Sequence, residues 1–157
     1  MNQNTTIIYK PEYNAKFVHF WLLGLLFLLL LMILIGGLTR LTDSGLSITN
    51  WEPIIGAIPP LSNTDWVLAF DQYKLTNEFK IQNFNMDLME FKVIYWWEWG
   101  HRQFGRLIGI FWFIGFIYLL TFSKLPKLLK ISFFTLGCLG LLQALIGWWM
   151  VKSGLDK

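Results

Sequence analysis

YWWEWGHRQFGRLIG, residues 95–109, runs without a break into IFWFIGFIYLLTF, residues 110–122. The second part carries no charge, whereas the first holds Glu98, His101, Arg102 and Arg106. Residues 107–122 alone would make about 24 Å of helix at 1.5 Å per residue. That is short of the roughly 30 Å of hydrocarbon in a bilayer. A spanning helix must therefore include residues 101–106, which brings ionisable groups to membrane depth. Such groups are costly there and mark function by default. At about 100° per residue, Glu98, His101, Arg102, Gly105 and Gly109 fall on one helix face, roughly 100° wide.

Two further apolar runs flank this stretch. Residues 17–38 contain His19 as their sole ionisable member, and residues 131–151 contain no charge at all. Each is long enough to cross the hydrocarbon. The first is too long for the roughly 7–15-residue core of a signal peptide and is not followed by an A-x-A cleavage site, so it reads as a true span. The chain of 157 residues is 55% hydrophobic, with a mean hydropathy of +0.48. The expected fold class is all-α, a polytopic membrane protein with three transmembrane helices. Its segments are a tail (1–16), three spans (17–38, 95–122 and 131–151), a long outer loop with short helices (39–94), a short loop (123–130) and a second tail (152–157).

Charge gives the topology. Lys124, Lys127 and Lys130 crowd the short loop, whereas residues 39–94 carry four basic and seven acidic side chains. The positive-inside rule places the N-terminus and the lysine loop in the cytoplasm and the long loop outside. The net charge of +3 is thus explained by topology, and no basic-aromatic stripe points to nucleic acid. Tyr95, Trp96, Trp97, Trp99, Trp148 and Trp149 form an aromatic belt at the outer interface. That belt sets His101 one to two turns below the surface.

In the long loop, Ser62 to Asp65 before WVLAF has the form of a capping box. DLMEFKVI, residues 87–94, has a helical period and leads into the second span. With Trp51, Trp66, Phe70, Tyr73 and Phe79, the loop is expected to fold down as a cap. The Gly36-Gly37 pair closes the first span, either as a turn or as a close approach. Asp43-Ser44-Gly45 is turn chemistry. Gly137, Gly140, Ala144 and Gly147 form a small-residue face suited to helix contact. Cys138 stands alone, so an internal disulfide or a CxxC metal site is excluded.

The ionisable cluster has two readings. In the simpler one, Glu98 and Arg102 pair at i,i+4, Arg106 reaches for headgroups and His101 bonds a neighbouring helix. In the other, His101 is an axial ligand to haem iron. Gly105, one turn on, then leaves room for a flat macrocycle, and Arg102 and Arg106 meet its propionates with their forked donors. Arg40, at the outer end of the first span, either snorkels or joins them. His19 lies at the opposite end of that span and fits the role of an interfacial ring.

GGLTRLTDSGLSITNW, the EFK before the second span, EWGHRQFGRLIG and LLQALIGWWMVKSGL closely resemble haem A synthase. The likeness covers residues 36–155 and is to the form without cysteines in its first outer loop. Within these flanks the E-x-x-H-R motif, Glu98 to Arg102, is specific. The resemblance implies an eight-helix membrane protein of two four-helix halves, with this chain supplying three helices of the N-terminal half-bundle. It implies an oxidoreductase that converts a methyl of haem O to the formyl of haem A for cytochrome oxidase assembly. His101 would then be an axial ligand of the substrate haem and Glu98 the catalytic carboxylate, while a haem b would belong to the second half.

The implied partners are haem O and haem O synthase, the oxidase assembly machinery, an electron acceptor the sequence does not identify, and the lipid bilayer. A homo-oligomer is compatible with the family. The implied location is the bacterial inner membrane, since the N-terminus lacks the Arg- and Ser-rich character of a mitochondrial presequence. The chain stops after its third span, so it reads as a piece of such an enzyme. Alone it is expected neither to complete bis-histidine ligation nor to turn over. Two other classes stay open: a b-type cytochrome segment and a non-catalytic assembly subunit.

Overall fold

A computed structural model of the chain describes residues 13–49 and 55–155. Five α-helices are found there: α1 (Ala15–Leu41), α2 (Asn63–Lys74), α3 (Asn77–Ile81), α4 (Leu88–Phe122) and α5 (Lys127–Leu155). A short 3-10 turn, Ile55–Ala57, precedes α2. Strands are absent from the described residues, and α1, α4 and α5 are long and apolar enough to cross a membrane. The fold is all-α, with three candidate spans. Trp51 and the outer parts of both tails (residues 1–12 and 156–157) lie outside the described residues.

Helix ends follow local chemistry. The Asn14 side chain accepts the Phe17 N–H at 3.1 Å and opens α1. The expected Ser62–Asp65 capping box opens α2. A second box, Asp87 with Glu90, opens α4. α4 is thus one helix of 35 residues, about 52 Å long. Its first turns extend beyond any 30 Å hydrocarbon layer.

α1 does not turn at Gly36-Gly37. It continues to Leu41 and ends where the Ser44 N–H reaches the Thr39 carbonyl (2.9 Å) and the Asp43 N–H reaches the Arg40 carbonyl (3.3 Å). This is a Schellman closure. Asp43 occupies the left-handed position with φ 48°, which aspartate tolerates better than most residues.

α1 and α4 run antiparallel in a readable register. Met32 lies at Gly105, Phe111 at Gly24 and Trp21 at Gly115. Further along, the Phe17 and Tyr118 rings meet at 4.3 Å. Two glycine notches lock the three helices together. The Trp21 indole N–H donates to the Phe111 carbonyl (3.2 Å), and a Cβ on Gly115 would lie 2.1 Å from that nitrogen. The Trp112 N–H donates to the Phe133 carbonyl (3.2 Å), and a Cβ on Gly137 would lie 2.1 Å from its ring. In both cases the accepting carbonyl sits four residues before the glycine. Lipid offers little hydrophobic drive between helices, so close packing and such hydrogen bonds supply the association.

Two cores result. One holds Val18, Trp21, Leu25, Phe116, Leu119, Leu125 and Phe133, and its end of the bundle is the basal end below. The other, at the cap end, packs Trp66, Phe70 and Tyr73 of α2 on Phe91, Ile94 and Tyr95 of α4. Phe91 is fully buried and stacks on both Phe70 (5.0 Å) and Tyr73 (5.2 Å).

Candidate functional site

Glu98 is the most deeply buried charge near the predicted site, its side chain 3% exposed. Its Oε2 accepts the Ser47 hydroxyl and the Ile48 backbone N–H, both at 2.7 Å. Its Oε1 accepts from Arg102 Nη2, which also donates to the Ile48 carbonyl at 3.1 Å. A buried carboxylate is stable only when its charge is compensated and its lone pairs are filled. Here a guanidinium supplies the opposite charge and three donors occupy three of the roughly four acceptor positions. Ser47 is itself buried, and its hydroxyl lies nearer Glu98 than the Ile94 carbonyl (3.4 Å). The short contact to the anion takes the single hydroxyl proton.

The segment after α1 is strapped to α4 at a second point. The Gln103 side-chain N–H donates to the Ala57 carbonyl at 2.8 Å. Leu46 packs against Gly154 near the end of α5, where a Cβ would stand 3.2 Å from it. The connection between α1 and α2 therefore touches the cap-end portions of α4 and α5, directly above His101.

His101 is half-buried and faces α1, because a Cβ on Gly36 would come within 3.3 Å of its Nε2. Gly36 is thus a close approach rather than a turn. Gly105 is exposed, and a Cβ there would touch only the Met32 terminal methyl, at 3.6 Å. A Cβ on Gly37 or Gly109 would meet nothing within 4 Å. The structure therefore brings Glu98, Arg102 and His101 together on one stretch of α4, with the exposed Gly105 one turn beyond His101. Arg106 is half-buried further down α4, and Arg40 is exposed one turn beyond Gly36. His19 is exposed and lies against Phe20, far from His101.

The residues present fit a haem better than a bare ion. Among the described residues, three His, Cys, Asp or Glu side chains never converge in a way that could hold a metal ion. A porphyrin brings four nitrogens of its own and asks the protein only for an axial ligand. His101, beside flexible Met32 and glycines with open space, can supply one.

Sequence reasoning missed Ser47, the Ile48 N–H and Gln103, and it left Gly36 open between a turn and a close approach. Ser47 lies in a polar stretch that reads as turn chemistry, and a backbone donor carries no sequence signal. The pairing of Glu98 with Arg102 was legible from the i,i+4 spacing.

Comparison with known proteins then decides the family. The COX15-CtaA family, described as cytochrome oxidase assembly protein, matches residues 19–157. The chain belongs to this family. Curated relatives in the family carry the name heme A synthase. The one from Dinoroseobacter shibae is 57% identical over 138 residues, covering 88% of this chain and 36% of the relative. That from Maricaulis maris is 53% identical over 148 residues, covering 94% of this chain and 43% of the relative. That from Azorhizobium caulinodans is 51% identical over 144 residues, covering 92% and 41%. The chain thus spans well under half the length of the relatives it matches. No solved structure matches it. Three helices able to cross a membrane, together with bacterial relatives, fit a bacterial membrane protein.

Proposed function

We propose that this segment is the substrate-haem half-site of a haem A synthase, which oxidises a methyl group of haem O to the formyl of haem A for cytochrome oxidase assembly. The observation that carries this reading is the buried Glu98 carboxylate, paired with Arg102, three residues before a half-buried imidazole with the exposed Gly105 one turn further on. His101 would hold the haem iron, Gly105 would leave room for the ring, and the bound haem would supply the iron for the oxidation.

The chain's own residues bind and orient. Arg40, Arg102 and Arg106 are the candidates for the propionates. Arg102 also holds Glu98 and the Ile48 carbonyl. A carboxylate has about four acceptor positions. Three are taken here, which leaves one on Oε1 to face positive charge developing at the methyl carbon or to accept its proton. In this reading the N-terminus is cytoplasmic and the cap faces outward from a bacterial inner membrane. Haem O synthase, an electron acceptor and the oxidase assembly machinery are its partners.

The test uses the intact membrane-embedded protein that contains this segment. His101→Ala should remove the haem absorbance of the substrate site. Glu98→Gln should leave haem bound while haem A formation falls at least 100-fold. Haem A formation that survives Glu98→Gln would move the assignment to a second reading, a b-type cytochrome segment. One observation favours that alternative: Glu98 bonds Ser47 and Ile48 of the cap connection and Arg102 of its own helix, as in a purely structural network.

A further inference from the structure

Ser47 and Ile48 belong to no part of the sequence-derived site, yet they make two of the three hydrogen bonds on the Glu98 carboxylate. Both donate to the same oxygen, Oε2. That fixes the plane of the carboxylate and leaves Oε1, shared with Arg102, as the oxygen with spare capacity. Ser47 is held in turn by its surroundings. It is 2% exposed, and the turn before it is closed by Thr42 and Ser44 hydroxyls in mutual contact at 2.6 Å and by the Ser44 N–H on the Thr39 carbonyl. The last turn of α1 is thereby linked rigidly to a side chain of α4.

We infer that Ser47 is a positioning residue for the proposed oxidation, acting with the Ile48 N–H to aim the Glu98 carboxylate. This rests on the reading of Glu98 given above. Serine suits the task because its hydroxyl donates one proton on a short, stiff arm and so sets the carboxylate direction. An alanine there keeps the buried volume nearly constant and removes only the donor. Oε2 then keeps the Ile48 N–H alone, and the aim of the carboxylate loosens although Arg102 still holds Oε1. Small misplacements of a catalytic group cost large factors in rate. Haem affinity depends on His101 and Gly105, which Ser47 does not touch, and should be unaffected.

The experiment compares Ser47→Ala, Ser47→Thr and Glu98→Gln in the intact protein, measuring kcat and KM for haem O separately. The expected result is a fall in kcat of about tenfold for Ser47→Ala, in line with loss of one hydrogen bond to a charged group. KM should stay within twofold, and the hydroxyl of Ser47→Thr should restore at least half of the turnover. Unchanged turnover in Ser47→Ala would overturn the inference. So would a KM rising in step with the lost turnover, or threonine behaving as alanine, since both assign Ser47 to packing. Glu98→Gln separates the two layers. If it retains turnover, the reading of Glu98 has failed; if it is inactive while Ser47→Ala is normal, only the role of Ser47 has.

Discussion

The two ends of the helical bundle use the same device to opposite effect. At the basal end, Trp21 and Trp112 fill the notches at Gly115 and Gly137 completely, and each indole N–H finds a backbone carbonyl. At the cap end, the His101 imidazole closes on Gly36, where a Cβ would stand 3.3 Å from Nε2, while a Cβ on Gly37 or Gly109 would meet nothing within 4 Å. Polar groups there are tied to a loop rather than to a neighbouring span. A glycine that is filled is packing. A glycine left open beside a histidine and a buried acid is a place for something else.

The contrast can be broken most sharply at Glu98. Glu98→Ala would remove the ion pair between Glu98 and the Arg102 guanidinium, 18% exposed, and would release the Ser47–Ile48 segment. Removing one member of a buried pair costs about 3–5 kcal/mol. Unfolding by SDS from detergent micelles should show a loss of this size, with protease sensitivity appearing first in the cap. A loss below about 1 kcal/mol would mean that the cap is held by its aromatic core alone.

The basal end should yield next. Gly115→Ala would force the buried Trp21 indole, and Gly137→Ala the partly buried Trp112 indole, out of its notch and break its hydrogen bond. Overpacking of this kind costs about 1–3 kcal/mol, and the lost bond adds about 1 kcal/mol. The same micelle titration measures it. A cost near zero would show that the notches are not what holds the spans together.

A smaller effect belongs to the cap. Glu78 is half-buried, and its Oε2 lacks a hydrogen-bond partner. Burial, reinforced by the negative charges of Glu98 and Asp43, pushes its carboxyl up to about 7. The folded form therefore binds the proton more tightly than the unfolded chain does. Its contribution to stability is complete below about pH 4.5, declines as pH rises and is gone above about 7. Glu78→Gln should make the cap more stable at pH 8 by about 1 kcal/mol, after discounting for solvent screening at a half-exposed site. It should also flatten the pH dependence between those limits. Thermal melts at pH 5 and pH 8 read both; an unchanged difference between the two would rule out Glu78 as its source.

Much of this was legible in the sequence because membranes simplify the grammar. Uncharged runs revealed three spans, and the ionisable cluster in residues 95–109 stood out against them. The capping box at Ser62 opened a helix where expected, and the aromatic residues of the long loop converged as a cap core on Phe91. What escaped detection depends on partners far apart in the chain. Ser47 lies 51 residues from Glu98, and Trp21 lies 90 from Phe111. Gly36-Gly37 read equally well as a turn or a contact, and only the imidazole opposite decides for contact. Gly137 sat in a small-residue face, yet its notch is defined by an indole from another helix.

The finest test lies at Gly105, where the sequence reading and the geometry meet. A Cβ there would meet only the end of Met32, at ordinary contact distance, so Gly105→Ala should fold as well as the parent. Replacing an exposed helical glycine even gains up to about 1 kcal/mol in water, and a change within about 0.5 kcal/mol of zero is expected here. The opening beside His101 would nonetheless shrink by a methyl group, and by far more in Gly105→Leu. If that opening receives the edge of a porphyrin, haem occupancy in the purified intact protein should fall stepwise from glycine to alanine to leucine while stability stays level. At Gly115 the same series should lower stability at the first step. Two glycines on one helix, ten residues apart, would then separate folding from binding. Equal haem content across the Gly105 series would instead place the ring on another face of α4.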